Sequence, residues 1–416
     1  MQNSNEQQPI ISEVNDLQLG TSEDDHSIIA ARVVDEEEES GKIKSYSDKN
    51  NYQEGNSSDI KQGAFMDLKL LSYNVFMRPI VKTNKSDYKD ARLDELIIKM
   101  KEDNFDIICL QELFSTASNR LSKLLKEFSD FEHVHLSRNT WKLKPIDSGL
   151  VIMSRFQIVE RDSFIFSQGS NIDGYTTKGV LSVLLDISKK DSQEKKYLLI
   201  FNTHTQANYD LKDESYWKIQ QSQVSEMAIF IHRKMKQFSG VSALVCGDFN
   251  IDARNKPEWY NWMMDRLNEI NNNEALEALK KQYPLDISPL QGSHISDEYT
   301  SIVKELSERK GESESKLSIT DLVLEKQGNH PISFGDFIVE NGTEKPREVI
   351  LTNPETLITK ERLDYIFLVE SSLQIPTLSV QNCCIEPFFR PLEKITESMP
   401  CTQLSDHYAV SLSCTF

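Results

Sequence analysis

Ala243-Leu244-Val245-Cys246-Gly247-Asp248-Phe249-Asn250 is a short apolar run that stops at a glycine, then offers an aspartate and, two positions on, an asparagine. Apolar runs of this length, closed by turn residues, read as buried strands. Polar groups just past a strand end are held by the rigid sheet behind them. A lone Asp or Asn in that place is usually a turn residue. The same punctuation recurs along the chain, however. Lys69-Leu70-Leu71-Ser72-Tyr73 runs into Asn74, Ile107-Ile108-Cys109-Leu110-Gln111 into Glu112, and Leu199-Ile200-Phe201-Asn202-Thr203 into His204. Asp406-His407 stands just ahead of the final apolar run. Strand ends supplying Asn, Glu, His, Asp-x-Asn and Asp-His are hard to explain as unrelated turns.

Strand-length apolar runs are read at 68–75, 105–110, 149–153, 180–187, 197–203, 241–247, 363–369 and 408–413. Between them, Leu93, Leu96, Ile97 and Met100 follow helical spacing, as do Leu121, Leu124, Leu125 and Phe128. A longer helix is expected over 214–237, with Trp217, Val224, Met227, Ala228, Ile231 and Met235 on one stripe. Strands mixed with helices imply an α/β domain over 66–416. The stretch 255–360 is poorer in apolar runs and carries the charged segment Lys304–Lys316, so it reads as a partly helical insertion.

The 416 residues are 38% hydrophobic and 9% aromatic, enough for a large core. Fully disordered, collagen-like and coiled-coil classes are excluded. No apolar window is long enough for a transmembrane helix, and the polar start from Met1 to Pro9 does not resemble a secretory signal. The six cysteines lack metal spacing and suit reduced, buried thiols of a cytoplasmic chain. The net charge of −18 is uneven: residues 1–60 carry 14 acidic against 4 basic side chains. Residues 1–65 therefore read as an acidic disordered tail. The mildly acidic remainder shows no footprint for nucleic acid, and no nucleic-acid partner is expected.

The inventory suits phosphodiester hydrolysis at a hard cation. Mg²⁺ takes oxygen ligands and usually one or two carboxylates, which makes Glu112 the leading ligand. Hydrolysis also needs a base for the attacking water and donors for the phosphoryl oxygens. His407 suits the base, given a carboxylate to fix its tautomer.

The motifs Ser72-Tyr73-Asn74-Val75, Leu110-Gln111-Glu112, Asn202-Thr203-His204, Gly247-Asp248-Phe249-Asn250, Arg362-Leu363-Asp364-Tyr365 and Ser405-Asp406-His407 resemble, in order, those of the endonuclease/exonuclease/phosphatase superfamily. That resemblance implies a four-layer α/β/β/α sandwich, with the site at one edge of two packed sheets. It implies Glu112 as metal ligand, Asn74 as a contact in the metal–phosphate cluster and Asp406 as a further metal-side acid. His204 and Asn250 are implied as phosphoryl-oxygen donors, and Asp248 as the group that orients the attacking water or assists the leaving group. Asp364 is implied to orient the base, His407. The implied cofactor is Mg²⁺, with Mn²⁺ as a substitute.

Within the superfamily, the basic surface of apurinic endonucleases is absent, as is the Cys-Asp-Arg sequence of the inositol-polyphosphate 5-phosphatases. The neutral sphingomyelinases are the better match. Asp147-Ser148-Gly149-Leu150-Val151-Ile152-Met153-Ser154, Asn202-Thr203-His204-Thr205-Gln206-Ala207 and Lys178-Gly179 resemble their segments. Asp173 precedes Lys178 by the spacing of their Asp…Lys switch, which implies a pair gating access of a lipid headgroup. The expectation is a sphingomyelin phosphodiesterase of phospholipase C type, cytoplasmic with peripheral association to membranes. The rivals are a nuclease or an inositol-polyphosphate or phosphoinositide phosphatase on the same scaffold, or an inactive lipid-binding relative. Trp259, Tyr260, Trp262, Met263 and Met264 form either an interfacial patch or, more in keeping with aromatic stripes, a buried helix face. Phe388 and Phe389 pose the same choice.

Overall fold

Leu198, Ile200, Asn202 and His204 alternate along one strand with Leu199, Phe201 and Thr203, and the two sets face different layers. A period of two of this kind is the ordinary pattern of a strand between two layers. The computed structural model describes residues 67–78, 87–115, 118–137, 144–189, 192–210, 213–269, 317–371 and 378–416. The 1–65 tail and the charged 304–316 segment lie outside the described residues.

The first six-stranded sheet comprises β1 (Asp67–Met77), β2 (Ile107–Leu113), β3 (His133–Leu136), β4 (Val151–Ser154), β13 (Ser379–Glu386) and β14 (Ala409–Thr415). Their order is β13-β14-β1-β2-β4-β3. The second comprises β5 (Gln157–Ile165), β6 (Gly179–Asp186), β7 (Tyr197–His204), β8 (Ala243–Asp248), β9 (Leu317–Asp321) and β12 (Asp364–Ser371), in the order β5-β6-β7-β8-β12-β9. A small hairpin, β10 (Phe337–Glu340) with β11 (Thr343–Pro346), stands apart from both sheets.

Leu68, Leu70, Ile107 and Cys109 of the first sheet meet Leu198, Ile200, Leu244, Cys246, Ile366 and Leu368 of the second in one buried cluster. The outer face of the first sheet packs on α1 (Lys89–Asp103) and α2 (Arg120–Glu127), through Leu93, Leu96, Leu121 and Leu124. The outer face of the second packs on α3 (Glu214–Gln237) and α4 (Pro257–Glu269), through Val224, Met227, Phe230 and Met263. The result is the four-layer α/β/β/α sandwich expected from the sequence. None of the described helices is long and apolar enough to cross a membrane.

The described parts of 255–360 include β9, the edge strand beside β12, and α4, which covers the second sheet. Short strands with polar faces, such as β9, lack the continuous apolar run that signals a central strand. The aromatic stripe on α4 is helix-to-helix packing: the Trp259 ring stacks on Trp217 with centroids 4.4 Å apart, and Tyr260 and Met263 are buried. Phe388 is likewise buried, edge-on to Tyr73, whereas Phe389 is exposed.

Gly247 permits the close approach of β8 to β7. It has φ +139°, and a Cβ there would lie 2.0 Å from the Thr203 carbonyl oxygen. Gly247→Ala is therefore expected to cost on the order of 3 kcal/mol or more of stability, read as a lowered thermal midpoint. An unchanged midpoint would contradict that tight fit.

Candidate active site

Strand direction brings the site together. Strands β1 and β2 are parallel, as are β7 and β8, so each pair ends on one edge. Strand β12 runs antiparallel to β8, and β14 antiparallel to β1, so their starts meet those ends. Register then sets three side chains in a row on the second sheet, with His204 opposite Asp248 and Asp248 opposite Asp364. Asn74 projects from β1 into the same interlayer space.

Glu112 breaks the alternation of β2. By period, Gln111 faces the interlayer and Glu112 would face the helices, yet Glu112 adopts φ +58° and accepts a hydrogen bond from Asn74 Nδ2 at 3.2 Å. Left-handed backbone at a non-glycine residue is strained, and such strain concentrates at functional sites. Gly149 accommodates it, since a Cβ there would lie 2.9 Å from the Glu112 Cα. Asp147 secures the adjoining loops by accepting from Gly149 N at 2.8 Å and from the Ser115 hydroxyl at 2.8 Å. The Asp147-Ser148-Gly149 motif thus positions Glu112.

Asn74 is the link between the carboxylates, its Nδ2 also donating to Asp248 Oδ2 at 2.9 Å. The other Asp248 oxygen accepts from Asn250 N at 2.9 Å, and Asn250, at φ +49°, donates its side-chain amide to the Thr205 carbonyl. Burial pushes the Asp248 carboxyl up to about 6, against the opposing pull of His407.

His407 Nδ1 lies 2.9 Å from Asp364 Oδ2, and its Nε2 lies 3.7 Å from Asp248 Oδ2. Ser333 completes the Asp364 environment, its hydroxyl donating to Oδ2 at 2.7 Å. Burial alone would lower the His407 imidazole. The carboxylates of Asp364 and Asp248 outweigh it and hold the ring well above the ordinary histidine range. Asp406 precedes it, fully inside the fold, and burial followed by the charges of His407 and Glu112 sets its carboxyl at about 7. The His407 charge opposes that rise, whereas Glu112 adds to it.

His204 Nε2 lies 3.6 Å from Asp248 Oδ2 and 3.9 Å from Glu112 Oε1. Lys178 Nζ sits 3.0 Å from the same nitrogen and donates to the Thr205 carbonyl and to Asp173 Oδ2, at 2.7 and 2.9 Å. An ammonium has only protons to give, so Nε2 is the acceptor and the ring proton resides on Nδ1. Burial first, then the charges of Lys178 and His407, keep this imidazole well below its usual range and neutral. Lys178 and Asp173 are both buried, so the pair is part of the site wall and not an exposed turn.

All ten residues singled out from the sequence therefore gather at one sheet edge, with Asp173 joined through Lys178. Three supports were not singled out. Ser333 lies in the stretch read as an insertion. Arg92 is buried and donates to the Val75, Phe76 and Leu404 carbonyls at 3.0, 2.7 and 2.7 Å, tying the end of β1 to the loop before Asp406. Gln111 donates to Asn202 at 2.7 Å, and Asn202 donates to the Leu110 and Val151 carbonyls, riveting the two sheets beneath the site. Polar motif residues on an apolar face were the available signal for this last pair.

The chain is similar to several known proteins. A sphingomyelinase of Dictyostelium discoideum is 27% identical over 380 residues, covering 79% of this chain and 74% of that protein. Sphingomyelinase C of Bacillus cereus is 28% identical over 203 residues, 45% of this chain and 58% of its own. Among solved structures, a β-toxin mutant from Staphylococcus aureus with bound magnesium ions aligns over 83% of this chain and 99% of its own, at 18% identity and a TM-score of 0.48. The sequence profile of the Endonuclease/Exonuclease/phosphatase family matches residues 71–407. With that span enclosing the strand-end residues from Asn74 to His407, the chain belongs to the endonuclease/exonuclease/phosphatase family of enzymes.

Proposed function

We propose that the protein is a Mg²⁺-dependent phosphodiesterase of phospholipase C type that hydrolyses sphingomyelin to ceramide and phosphocholine. The observation that carries the hydrolytic reading is the division of labour around His407. Its Nδ1 is engaged by Asp364, while Nε2 is left facing the site. Both oxygens of Asp248, by contrast, already accept amide protons, from Asn74 and Asn250. Once it has released the proton that Asp364 and Asp248 favour on the ring, His407 is thus the base, and Asp248 is the residue that positions. Water attacks phosphorus, its proton passes to His407 Nε2, the bond from phosphorus to the ceramide oxygen breaks, and that oxygen takes a proton from solvent water to leave as ceramide while His407 returns its own to solvent.

Asp248, Asp364 and His407 each place one ligand atom within 4.8 Å of the others, a spacing a metal would accept. Both Asp248 oxygens, Asp364 Oδ2 and His407 Nδ1 are engaged in hydrogen bonds, however, so we assign the cation to the Glu112 side. Two carboxylates, Glu112 and Asp406, interact there unfavourably enough to help raise Asp406. This oxygen set fits a hard divalent ion. Glu112 and Asp406 would hold it, with Asn74 beside them, and Mn²⁺ would substitute. When bound, the cation supplies charge stabilisation to the phosphoryl oxygens.

The choice of a lipid substrate is supported by the sphingomyelinase relatives and by the acidic body, which offers nothing to a nucleic-acid backbone. Peripheral contact with a membrane is supported by exposed Ile172 and Tyr175, which flank Asp173, and exposed Phe389, packed on Tyr408. Headgroup release from sphingomyelin vesicles, plasmid nicking and inositol-phosphate release, run side by side with Mg²⁺, test the reading. Headgroup release alone is expected. Activity confined to either other substrate assigns the protein to that rival, and silence on all three marks an inactive lipid-binding relative.

Lys178 and Asp173 gate the site in this reading. While Lys178 occupies His204 Nε2, that nitrogen cannot donate to a phosphoryl oxygen, so the ammonium must shift before His204 acts. Lys178→Ala leaves the buried Asp173 carboxylate without its cation. It is expected to cost about 3 kcal/mol of stability and to lower activity on mixed-lipid vesicles. Full activity in that variant would remove the gating role.

A further inference from the structure

Three backbone segments run side by side at His407. Phe334 pairs antiparallel with Glu361 on one side and with His407 on the other. The pairing with Glu361 is reciprocal, Phe334 N donating to the Glu361 carbonyl at 3.1 Å and Glu361 N to the Phe334 carbonyl at 3.0 Å. Residues directly opposite in an antiparallel pair present their side chains on the same face, roughly 5 Å apart. Glu361, Phe334 and His407 therefore form a row on one face, and it is the face on which His407 meets Asp364 and Asp248. The Phe334 and His407 rings confirm the register, with centroids 4.8 Å apart.

Neither Phe334 nor Glu361 serves the chemistry described above. Phe334 is half-buried. Glu361 is half-buried too, and no Lys or Arg pairs with it among the described residues. The neighbouring cations are spoken for, Lys360 by Glu344 and Arg362 by Asp321. The electrostatic neighbours of Glu361 include Asp252, His407 and Asp248, and burial with the Asp252 charge pushes its carboxyl up to about 7. An aromatic face beside a carboxyl that no Lys or Arg pairs with attracts a large, weakly hydrated cation, whose arrival favours the ionised carboxylate, and quaternary ammonium groups are recognised in this way.

We propose that Phe334 and Glu361 form the subsite for a quaternary ammonium group carried by the substrate's phosphate, the ring giving its face and the carboxylate its charge, one register step from His407. This deepens the function proposed above and rests on it. Sphingomyelin carries such a group two carbons from the phosphate, within the span of the Glu361–Phe334–His407 row.

The test is equilibrium binding to the full chain with Mg²⁺, comparing phosphocholine with 3,3-dimethylbutyl phosphate, in which carbon replaces the charged nitrogen. The unmodified protein is expected to favour phosphocholine by about 10-fold. Glu361→Gln and Phe334→Leu should each bring that ratio toward one, and Glu361→Asp should restore part of it, with thermal midpoints confirming folded protein. A ratio that stays at its original value in both Glu361→Gln and Phe334→Leu overturns the subsite, as does absence of any preference in the unmodified protein. The two levels separate cleanly. Sphingomyelin hydrolysis with an unaltered ratio in the variants sinks the subsite alone. A ratio lost in the variants without ceramide release sinks the proposed reaction and leaves the subsite standing.

Discussion

Replacing His407 by alanine is expected to lower turnover on sphingomyelin vesicles by about 10³-fold while leaving the protein folded. Positioned general bases contribute on that scale, and among the described residues no other imidazole combines a carboxylate-locked Nδ1 with an Nε2 facing the site. The fold should survive because the partners of His407 keep other bonds. Asp364 retains the Ser333 hydroxyl, which itself accepts from the Leu363 and Asp364 backbone amides, and Asp248 retains Asn74 and Asn250. Asp364→Asn should reproduce much of the loss, since an amide no longer selects the tautomer that presents a basic Nε2. Steady-state headgroup release, with circular dichroism melting as the control, decides the matter. Near-normal turnover in the alanine variant would end the assignment of His407 as base.

Glu112→Ala should cost at least about 10²-fold in turnover, and the loss should come with the response to Mg²⁺. A ligand that binds only the native state stabilises it by about 2.7 kcal/mol at a hundred times its dissociation constant. The unmodified protein should therefore melt higher as Mg²⁺ is added, and Glu112→Ala should not. The substitution keeps a Cβ at φ +58°, so the strain at this position is the same before and after, and the comparison isolates the carboxylate. A variant that still gains stability with Mg²⁺ would move the cation away from Glu112, whatever its turnover.

The strands that carry the site were legible because each is a buried central strand, apolar to its last turn and then polar. The runs read at 197–203 and 241–247 fall on β7 and β8 almost residue for residue, and the helix read at 214–237 is α3. What could not be read was anything dependent on partners remote in the chain. Strand β5 is mostly exposed or half-buried at a sheet edge, and β9 is five residues long, so neither carries a strong apolar signal. The polarity of Arg92 and Ser333 gives no hint of burial until the carbonyls and carboxylate that satisfy them are in place. The motif residues drew attention to Glu112, but not to the reversed backbone that turns its side chain into the interlayer. That reversal is visible only beside Gly149, 37 positions later.

The working groups are shared out between two laminae: Asn74, Glu112 and the Asp406–His407 corner belong to one, and His204, Asp248 and Asp364 to the other. Neither sheet holds a usable half. A swollen, loosely stacked state that keeps its strands and helices would retain its far-ultraviolet signature while its hydrolytic output vanished. Turnover in this enzyme family member is thus a gauge of how tightly the two sheets are pressed together, and mild expansion should silence it well before the secondary structure melts.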